Sequence, residues 1–574
     1  MSWQETYAIW QNYPELTEDL KQELNQLAND NAALEDAFYA PLEFGTAGMR
    51  GVLGVGINRM NIYTVRQATE GLARFMDTLD EATKKRGVAI SYDSRHFSQE
   101  FAFEAAKVLG AHQIPSYVFE SLRPTPELSF TVRHLNAYAG IMITASHNPK
   151  QYNGYKIYGE DGAQMPPKES DLITQYIRQV DDLFGVEVGQ KEALIEAGLL
   201  KIIGSEVDQV YLEHLKQVTI NRELVQEEGK TLKLVYSPLH GTGAMLGEKA
   251  LRQAGFENFT MVKEQALPDG DFPTVEKPNP EDGAAFDLAI ALGKKEGADL
   301  LIASDPDADR LGAAVRQPNG EYQLLTGNQI AAIMLHYILT AHKQAGTLPK
   351  NAAAVKSIVS SEFAAKIAES FDVEMINVLT GFKFIAEQIK HFEATAEHTF
   401  MFGFEESYGY LVRSFVRDKD AIQALVMLAE VAAYYKKQGK NLYDGLQELF
   451  EEYGYFAEKT ISLTFDGIQG AKQIQDLMSK FRTSAPTDFA GYKVEVMEDF
   501  ASSQKHLADG TIMTMSLPKS NVLKYYLADG TWIAVRPSGT EPKIKFYIGT
   551  VATSDEQATE KCHAFEAAIQ AFIK

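Results

Sequence analysis

At 574 residues, 45% hydrophobic and 23% charged, the chain has an ordinary globular composition but is too long for one core, so several domains are expected. A formal charge of −23 excludes a general binder of nucleic acid or anionic membrane, yet permits an anionic small substrate in one locally cationic cleft. Cys562 is the lone cysteine, so no intrachain disulfide forms. Residues 1–31 lack a signal-peptide pattern, no run reaches the roughly 18 apolar residues of a membrane helix, and the expected location is cytoplasmic.

Residues 1–40 read as short amphipathic helices, an arm packed on the first domain. Next comes Phe44-Gly45-Thr46-Ala47-Gly48-Met49-Arg50-Gly51, a plain turn taken alone. In company, its N–H groups and its guanidinium can meet an anion. Strands and helices then alternate: strand 87–93, helix 99–109 stopped by Gly110, and strands 116–119 and 140–144. The unit recurs at 232–236 with helix 245–254, at 298–303, at 352–358 with helix 362–370, and at 398–402. Such alternation implies largely parallel, helix-covered sheets, with the charged stretch 179–196 as a candidate connector. The tail differs. Segments 459–465 and 492–497 alternate apolar and polar residues, and Asp529-Gly530 marks a hairpin between 523–527 and 531–535. A further strand at 543–548 precedes a helix that sets Ala558, Cys562, Phe565, Ile569 and Phe572 on one face, which makes Cys562 a core residue. From about 455 onward a smaller α+β domain is expected.

The chemistry-bearing residues gather where strands end. Gly140–Thr144 runs into Ala145-Ser146-His147-Asn148-Pro149 and holds Ser146 at a strand's carboxyl end, where open α/β sheets place ligands. This is not a Gly-x-Ser-x-Gly hydrolase elbow, and the same residue types also suit a turn or helix cap. Lys156, ten residues on, can neutralise a transferring phosphoryl group or act as acid/base. Asp305-Pro306-Asp307-Ala308-Asp309-Arg310 follows strand 298–303; in an extended loop three alternate carboxylates point one way and suit Mg²⁺. An EF-hand fails, since Arg310 and Arg316 stand where it needs Gly and Glu.

Gly403-Phe404-Glu405-Glu406-Ser407 offers carboxylates and a hydroxyl to a polyol, and Arg417-Asp418-Lys419-Asp420 adds cations just beyond. Thr380-Gly381-Phe382-Lys383-Phe384 is a further turn; each of these fits a structural role equally well. Arg536-Pro537-Ser538-Gly539-Thr540-Glu541-Pro542 joins an arginine, two hydroxyls and backbone N–H groups, as a phosphate dianion requires. No P-loop is present. His240-Gly241-Thr242-Gly243-Ala244-Met245-Leu246 begins like a dinucleotide fingerprint, but Leu246 replaces its third glycine and leaves a close strand-to-helix turn.

These loops, in this order over positions 45 to 542, resemble the α-D-phosphohexomutase superfamily. The resemblance implies an α/β fold: three related α/β domains with mixed, largely parallel sheets plus a smaller C-terminal α+β domain, heart-shaped around a central cleft. The implied division is a helical arm at 1–40, α/β domains at 41–205, 206–322 and 323–452, and the α+β domain at 453–574. By the same resemblance Ser146 is the phosphoryl carrier, and Asp305, Asp307 and Asp309 bind one Mg²⁺ per active site together with the Ser146 phosphate. Glu405 and Ser407 would hold sugar hydroxyls, with Gly381, Phe382, Lys383 and Lys419 as further substrate contacts. Arg536, Ser538, Gly539 and Thr540 would hold the non-reacting phosphate. Arg50, His147, Lys156 and Arg310 match positions near the reaction centre, with Lys156 the candidate general acid/base.

The sugar loops look like the phosphoglucomutase side of the superfamily, and also like its phosphopentomutase branch. The implied reaction interconverts glucose 1-phosphate and glucose 6-phosphate through a phosphoserine and a bisphosphate, with a sugar bisphosphate as activator. A pentose- or mannose-phosphate mutase, a Mg²⁺-dependent sugar phosphatase and a non-catalytic sugar-phosphate binder are the alternatives. The expected partner is a phosphorylated sugar, not nucleic acid or membrane; oligomeric state is left open, a monomer included.

Overall fold

A computed structural model describes residues 2–45, 48–465, 467–538 and 543–573. Two residues of the glycine-punctuated loop, Thr46 and Ala47, lie outside these, as do Gly539 and Thr540 of the expected phosphate loop. The chain divides into two compact units, residues 1–326 with 407–441, and residues 327–406 with 442–574.

The first unit opens with helices Trp3–Asn12, Glu18–Leu27 and Asn31–Phe38. Ser2 and Glu5 form a capping box at the first of them. Their apolar faces bury Trp10, Leu20, Leu24 and Phe38 against Val55 and Tyr63 of the following domain, as expected of a packed arm. The stretch 179–196, expected to connect domains, is instead packed. Phe184 stacks on Tyr13 at 3.8 Å, Val180 and Val186 pack with Val108, and Leu194 enters the main core. Its charges lie outward and its sparse apolar residues inward, so composition alone made it look loose.

Two sheets follow with one plan. In the first, the order is Met49–Val52, Tyr152–Tyr158, Ala139–Ile143, Val88–Tyr92, Ser116–Phe119, Leu200–Ile203. The last four are parallel, and the first two pair antiparallel. Every residue of Val88–Tyr92 and Ala139–Ile143 is buried, as a helix-covered parallel sheet requires. In the second, Leu300–Ser304, Leu234–Ser237 and Phe259–Met261 are parallel, and Leu311–Arg316 and Tyr322–Leu324 are antiparallel. In both, a buried parallel strand ends in a loop that turns into an antiparallel partner. That loop holds Ser146 in one sheet and Asp305–Asp309 in the other.

The later part of this unit supplies helix Ala421–Lys437, with 14 of its 17 residues buried, so it is a core helix rather than a surface one. It packs on helices Gly243–Ala254 and Arg222–Glu228.

The second unit contains parallel strands Glu374–Val378, Ala352–Ser357 and Thr399–Glu405, with helices Gly327–Gln344, Glu362–Ser370, Phe382–Thr395 and Leu442–Tyr453. An antiparallel sheet then runs in the order Tyr455–Thr464, Lys543–Ala552, Trp532–Pro537, Leu523–Leu527, Tyr492–Asp499, Gln504–Leu507, Ile512–Thr514. Helices Gly467–Thr483 and Asp555–Ile573 cover one face, where Phe481, Phe546, Cys562 and Phe565 meet, so Cys562 is the core residue its helical spacing implied. Trp532 and Tyr547 pack on Ile358, Val359 and Leu379. Among the described residues, no helix is long and apolar enough to cross a membrane.

Candidate active site

Ser146 sits just past the carboxyl end of Ala139–Ile143 with φ +53°, in the left-handed region that costs a non-glycine residue on the order of 1 kcal/mol. Its N–H donates to Thr144 Oγ1 (2.8 Å), and the Thr144 hydroxyl donates to Asp93 Oδ2 (2.6 Å). Its own hydroxyl, only 3% exposed as a residue, donates to Asp305 Oδ2 at 2.8 Å, and His147 Nδ1 lies 3.1 Å from the same oxygen. Burial, together with Arg310 and Arg50, holds the His147 imidazole well below its ordinary value, so the ring is neutral.

Asp305, Asp307 and Asp309 each offer a carboxylate oxygen within 4.8 Å of the others, and all three side chains are buried. Asp305 Oδ1 accepts the N–H groups of Asp309 (3.1 Å) and Arg310 (3.0 Å), which curls the loop and turns the other carboxylates inward. Lys156 Nζ donates to Asp307 Oδ2 at 2.9 Å and lies 3.8 Å from Asp309; Lys419 Nζ lies 3.2 Å from Asp309 and 2.9 Å from Asp418. Burial and the two neighbouring carboxylates push Asp305 well above the usual carboxylate range. Burial acts on Asp307 in the same direction, but the Lys156 ammonium and hydrogen bonds from Lys156 and Thr125 hold it below that range. Asp307 Oδ1 and Asp309 Oδ1 are buried with no hydrogen-bond partner. Orphaned buried carboxylate oxygens converging among hard oxygen donors fit a small divalent cation.

The remaining expected site residues fall in two groups. In the first unit, Arg50 is exposed and donates to Asn148 Oδ1 (2.9 Å), on the Ser146 loop. Arg310 donates to Glu281 at 2.7 Å and lies 3.9 Å from Asp309. Beyond the half-buried Ser407, Tyr408 O accepts the N–H of Leu311, and Gly409 bridges Arg310, so this segment is zipped to the aspartate loop. A Cβ on Gly409 would lie 2.1 Å from Lys419 Cδ: the missing side chain lets the lysine stem cross the backbone towards Asp309.

In the second unit, Glu405 ends its strand and accepts the N–H of Gly381 (2.7 Å), which unites the two expected sugar loops. Glu406 is committed to structure, accepting the hydroxyls of Ser357 (3.0 Å) and Ser360 (3.2 Å). Phe382 is 2% exposed at a helix start, and Lys383 lies over the Phe384 ring at 5.4 Å. Arg536 is the last residue but one of strand Trp532–Pro537, and Ser538 N–H donates to Lys543 O (2.7 Å). Burial and the charges of Glu406 and Glu405 raise the pKa of Tyr547, against the Arg536 guanidinium, which lowers it.

Sequence reasoning missed four residues that organise the site. Asp93 and Arg95 follow strand Val88–Tyr92, a position whose Asp-x-Arg pattern at a strand's carboxyl end was signal enough. Thr125 starts helix Thr125–His134 and grips Asp307 twice, through its N–H to the backbone carbonyl (2.9 Å) and its hydroxyl to Oδ2 (2.8 Å). Asp418 accepts from Tyr158 and Lys419, fixing the lysine. Only folding brings these last two to the cluster.

Three α/β/α domains followed by a C-terminal domain make this a phosphosugar-mutase type of protein. The chain belongs to the phosphoglucomutase/phosphomannomutase family: its alpha/beta/alpha domains I, II and III match residues 41–183, 209–320 and 326–453, and its C-terminal domain matches 492–568. A phosphoglucomutase of Staphylococcus aureus strain MSSA476 is 40% identical over 530 residues, 92% of this chain and 93% of the relative. A Staphylococcus epidermidis phosphoglucomutase is 42% identical over 515 residues, covering 90% of this chain and 91% of its own. The fold matches a Burkholderia thailandensis protein of the same family (TM-score 0.66, 18% identity, 92% of this chain and 97% of that one). It also matches Paramecium parafusin in its open form (TM-score 0.67, 19% identity, 93% and 94%).

Proposed function

We propose that this protein is a phosphoglucomutase, interconverting glucose 1-phosphate and glucose 6-phosphate through phosphorylated Ser146 and a sugar bisphosphate. The observation that carries the reading is the Ser146 hydroxyl on Asp305, beside two buried carboxylate oxygens that take no hydrogen bond, in a relative of staphylococcal phosphoglucomutases. A free sugar hydroxyl attacks the Ser146 phosphoryl group; the new P–O bond forms on the sugar as the bond to Oγ breaks. The Lys156 ammonium gives a proton to the departing Ser146 Oγ and takes back the one the sugar hydroxyl loses. The bisphosphate reorients and gives its other phosphate back to Ser146. Asp305, Asp307 and Asp309, with the Ser146 phosphate, are the residues that would hold one Mg²⁺ per active site. When bound it neutralises charge on the moving group.

His147 supplies a neutral ring beside Oγ, while Arg50 and Arg310 supply positive charge near the serine loop. Glu405, Ser407 and Lys419, with the Gly381, Phe382 and Lys383 turn, take the sugar. Arg536, Ser538, Gly539 and Thr540 take the non-reacting phosphate. A sugar bisphosphate primes the serine, and cytoplasmic location belongs to the same reading.

The test compares glucose 1-phosphate, mannose 1-phosphate and ribose 1-phosphate by catalytic efficiency, with glucose 1,6-bisphosphate as primer and Mg²⁺ present. Glucose 1-phosphate should be turned over most efficiently, and Ser146→Ala should abolish turnover. Inorganic phosphate released at the rate of substrate loss would make the protein a phosphatase instead, and near-normal activity in Ser146→Ala would refute the carrier role.

A further inference from the structure

We propose that Arg95 is the positioning residue of the phosphoryl-carrying serine: its buried guanidinium clamps the backbone of the Ser146 loop and fixes the direction of Oγ. This rests on the reading of Ser146 as the carrier. One side chain holds four carbonyls. Arg95 Nη2 donates to Ser146 O (2.6 Å) and Asn148 O (2.5 Å), and Nη1 donates to Pro149 O (2.9 Å) and Tyr152 O (3.0 Å). Its Nε lies 3.2 Å from Asp93 Oδ2, and neither side chain has any solvent exposure. The Phe272 ring covers the guanidinium at 5.0 Å.

The contacts close a circuit around one residue. Asp93 Oδ2 accepts the Thr144 hydroxyl, whose oxygen accepts the N–H of Ser146; the carbonyl of Ser146 returns through Arg95 to Asp93. Both peptide groups flanking the left-handed Ser146 are therefore tied to a single buried ion pair. Oγ is left with its contacts to Asp305 and His147. Every hydrogen bond of the Arg95 side chain goes to backbone of the serine loop or of the strand behind it, so its effect on the reaction passes through the serine's placement. A planar fork with five donors spans four carbonyls; an ammonium, a compact point charge with three donors, does not. Misplacing a reacting oxygen by about 1 Å costs on the order of 10²-fold in rate.

The experiment uses full-length wild type, Arg95→Lys and Arg95→Ala, each primed with glucose 1,6-bisphosphate in Mg²⁺. Wild-type phosphorylation at Ser146 is measured first by mass spectrometry; its absence would overturn the carrier reading and this proposal with it. Given that phosphorylation, Arg95→Lys keeps a cation beside Asp93 and should fold. We expect its kcat to fall at least tenfold with KM for glucose 1-phosphate within about twofold, and the ³¹P line of its phosphoserine to shift or broaden. Arg95→Ala should lose about 100-fold in kcat and regain part of it in methylguanidinium. A Lys variant with wild-type kcat and ³¹P line would overturn the proposal. So would an Ala variant whose lost activity follows its unfolded fraction and does not respond to methylguanidinium.

Discussion

Gly48 shows how far a single residue controls the site. It has φ +119°, and a Cβ there would stand 2.0 Å from the Tyr155 carbonyl oxygen and 2.8 Å from Lys156 Cα. Both obstacles are backbone, so an added methyl must push apart this turn and the strand that aims Lys156 at Asp307. Gly48→Ala is expected to destabilise the protein by about 2 kcal/mol or more and to lower kcat further than the folded fraction explains, read by thermal unfolding alongside steady-state kinetics. Residues of this scale divide in how legible they were. Ser146 and the three aspartates stood out because reactive side chains end apolar strands. Thr125 did not, because its partner lies far along the chain and leaves no pattern in a local window, and at Arg95 the strand-end Asp-x-Arg pattern does not show which backbone carbonyls it holds. Glu406 is the converse case: beside Glu405 it looks equally fit to grip a sugar, and folding commits it to Ser357 and Ser360.

At the scale of elements, strand ends were read with little error, since buried parallel strands are short apolar runs bounded by small polar residues. The turn His240–Leu246, read as a close strand-to-helix connection, has a second duty. A Cβ on Gly241 would sit 2.3 Å from Pro306 Cα, and Thr242 binds Pro306 O through both its N–H and its hydroxyl, so this turn cradles the aspartate loop. Helix Ala421–Lys437 is set by its cap. Asp420 accepts the N–H groups of Ile422 (2.9 Å) and Gln423 (3.0 Å) and the hydroxyl of buried Tyr211 (2.8 Å). Burial pushes Asp420 up to about 6, so a neutral isostere should serve nearly as well. Asp420→Ala should cost about 2–4 kcal/mol, the cap plus an orphaned buried phenol, whereas Asp420→Asn should stay within about 1 kcal/mol of wild type. Equal losses in denaturant unfolding of the two variants would show that volume, not capping, is what the site needs.

At the scale of the whole chain, repetition of the α/β unit was legible, but the company each segment keeps was not. Residues 407–441 lie within the span of the family's third domain yet pack with the first two, because helix Ala421–Lys437 is apolar nearly all round and buries itself between other helices. In the second unit, strand Tyr455–Thr464 is tied to the α/β layer by a polar contact that periodicity could not reveal. Half-buried Glu458 faces Ser361 and Asn328, with Glu362 and Lys356 as its charged neighbours. Burial raises its pKa from 4.5 to about 7, so the folded state holds this proton more tightly than the unfolded chain does. The stability gained from that proton is complete below pH 4.5 and is lost as pH rises through about 7. Partial exposure trims the effect to about 1–2 kcal/mol. Glu458→Gln keeps the shape and removes the titration. Between pH 5 and pH 8 the wild type should therefore lose about 1–2 kcal/mol more than Glu458→Gln in the denaturant transition that reports the C-terminal sheet. Parallel stability profiles for the two proteins would show that this carboxyl ionises freely in the folded state.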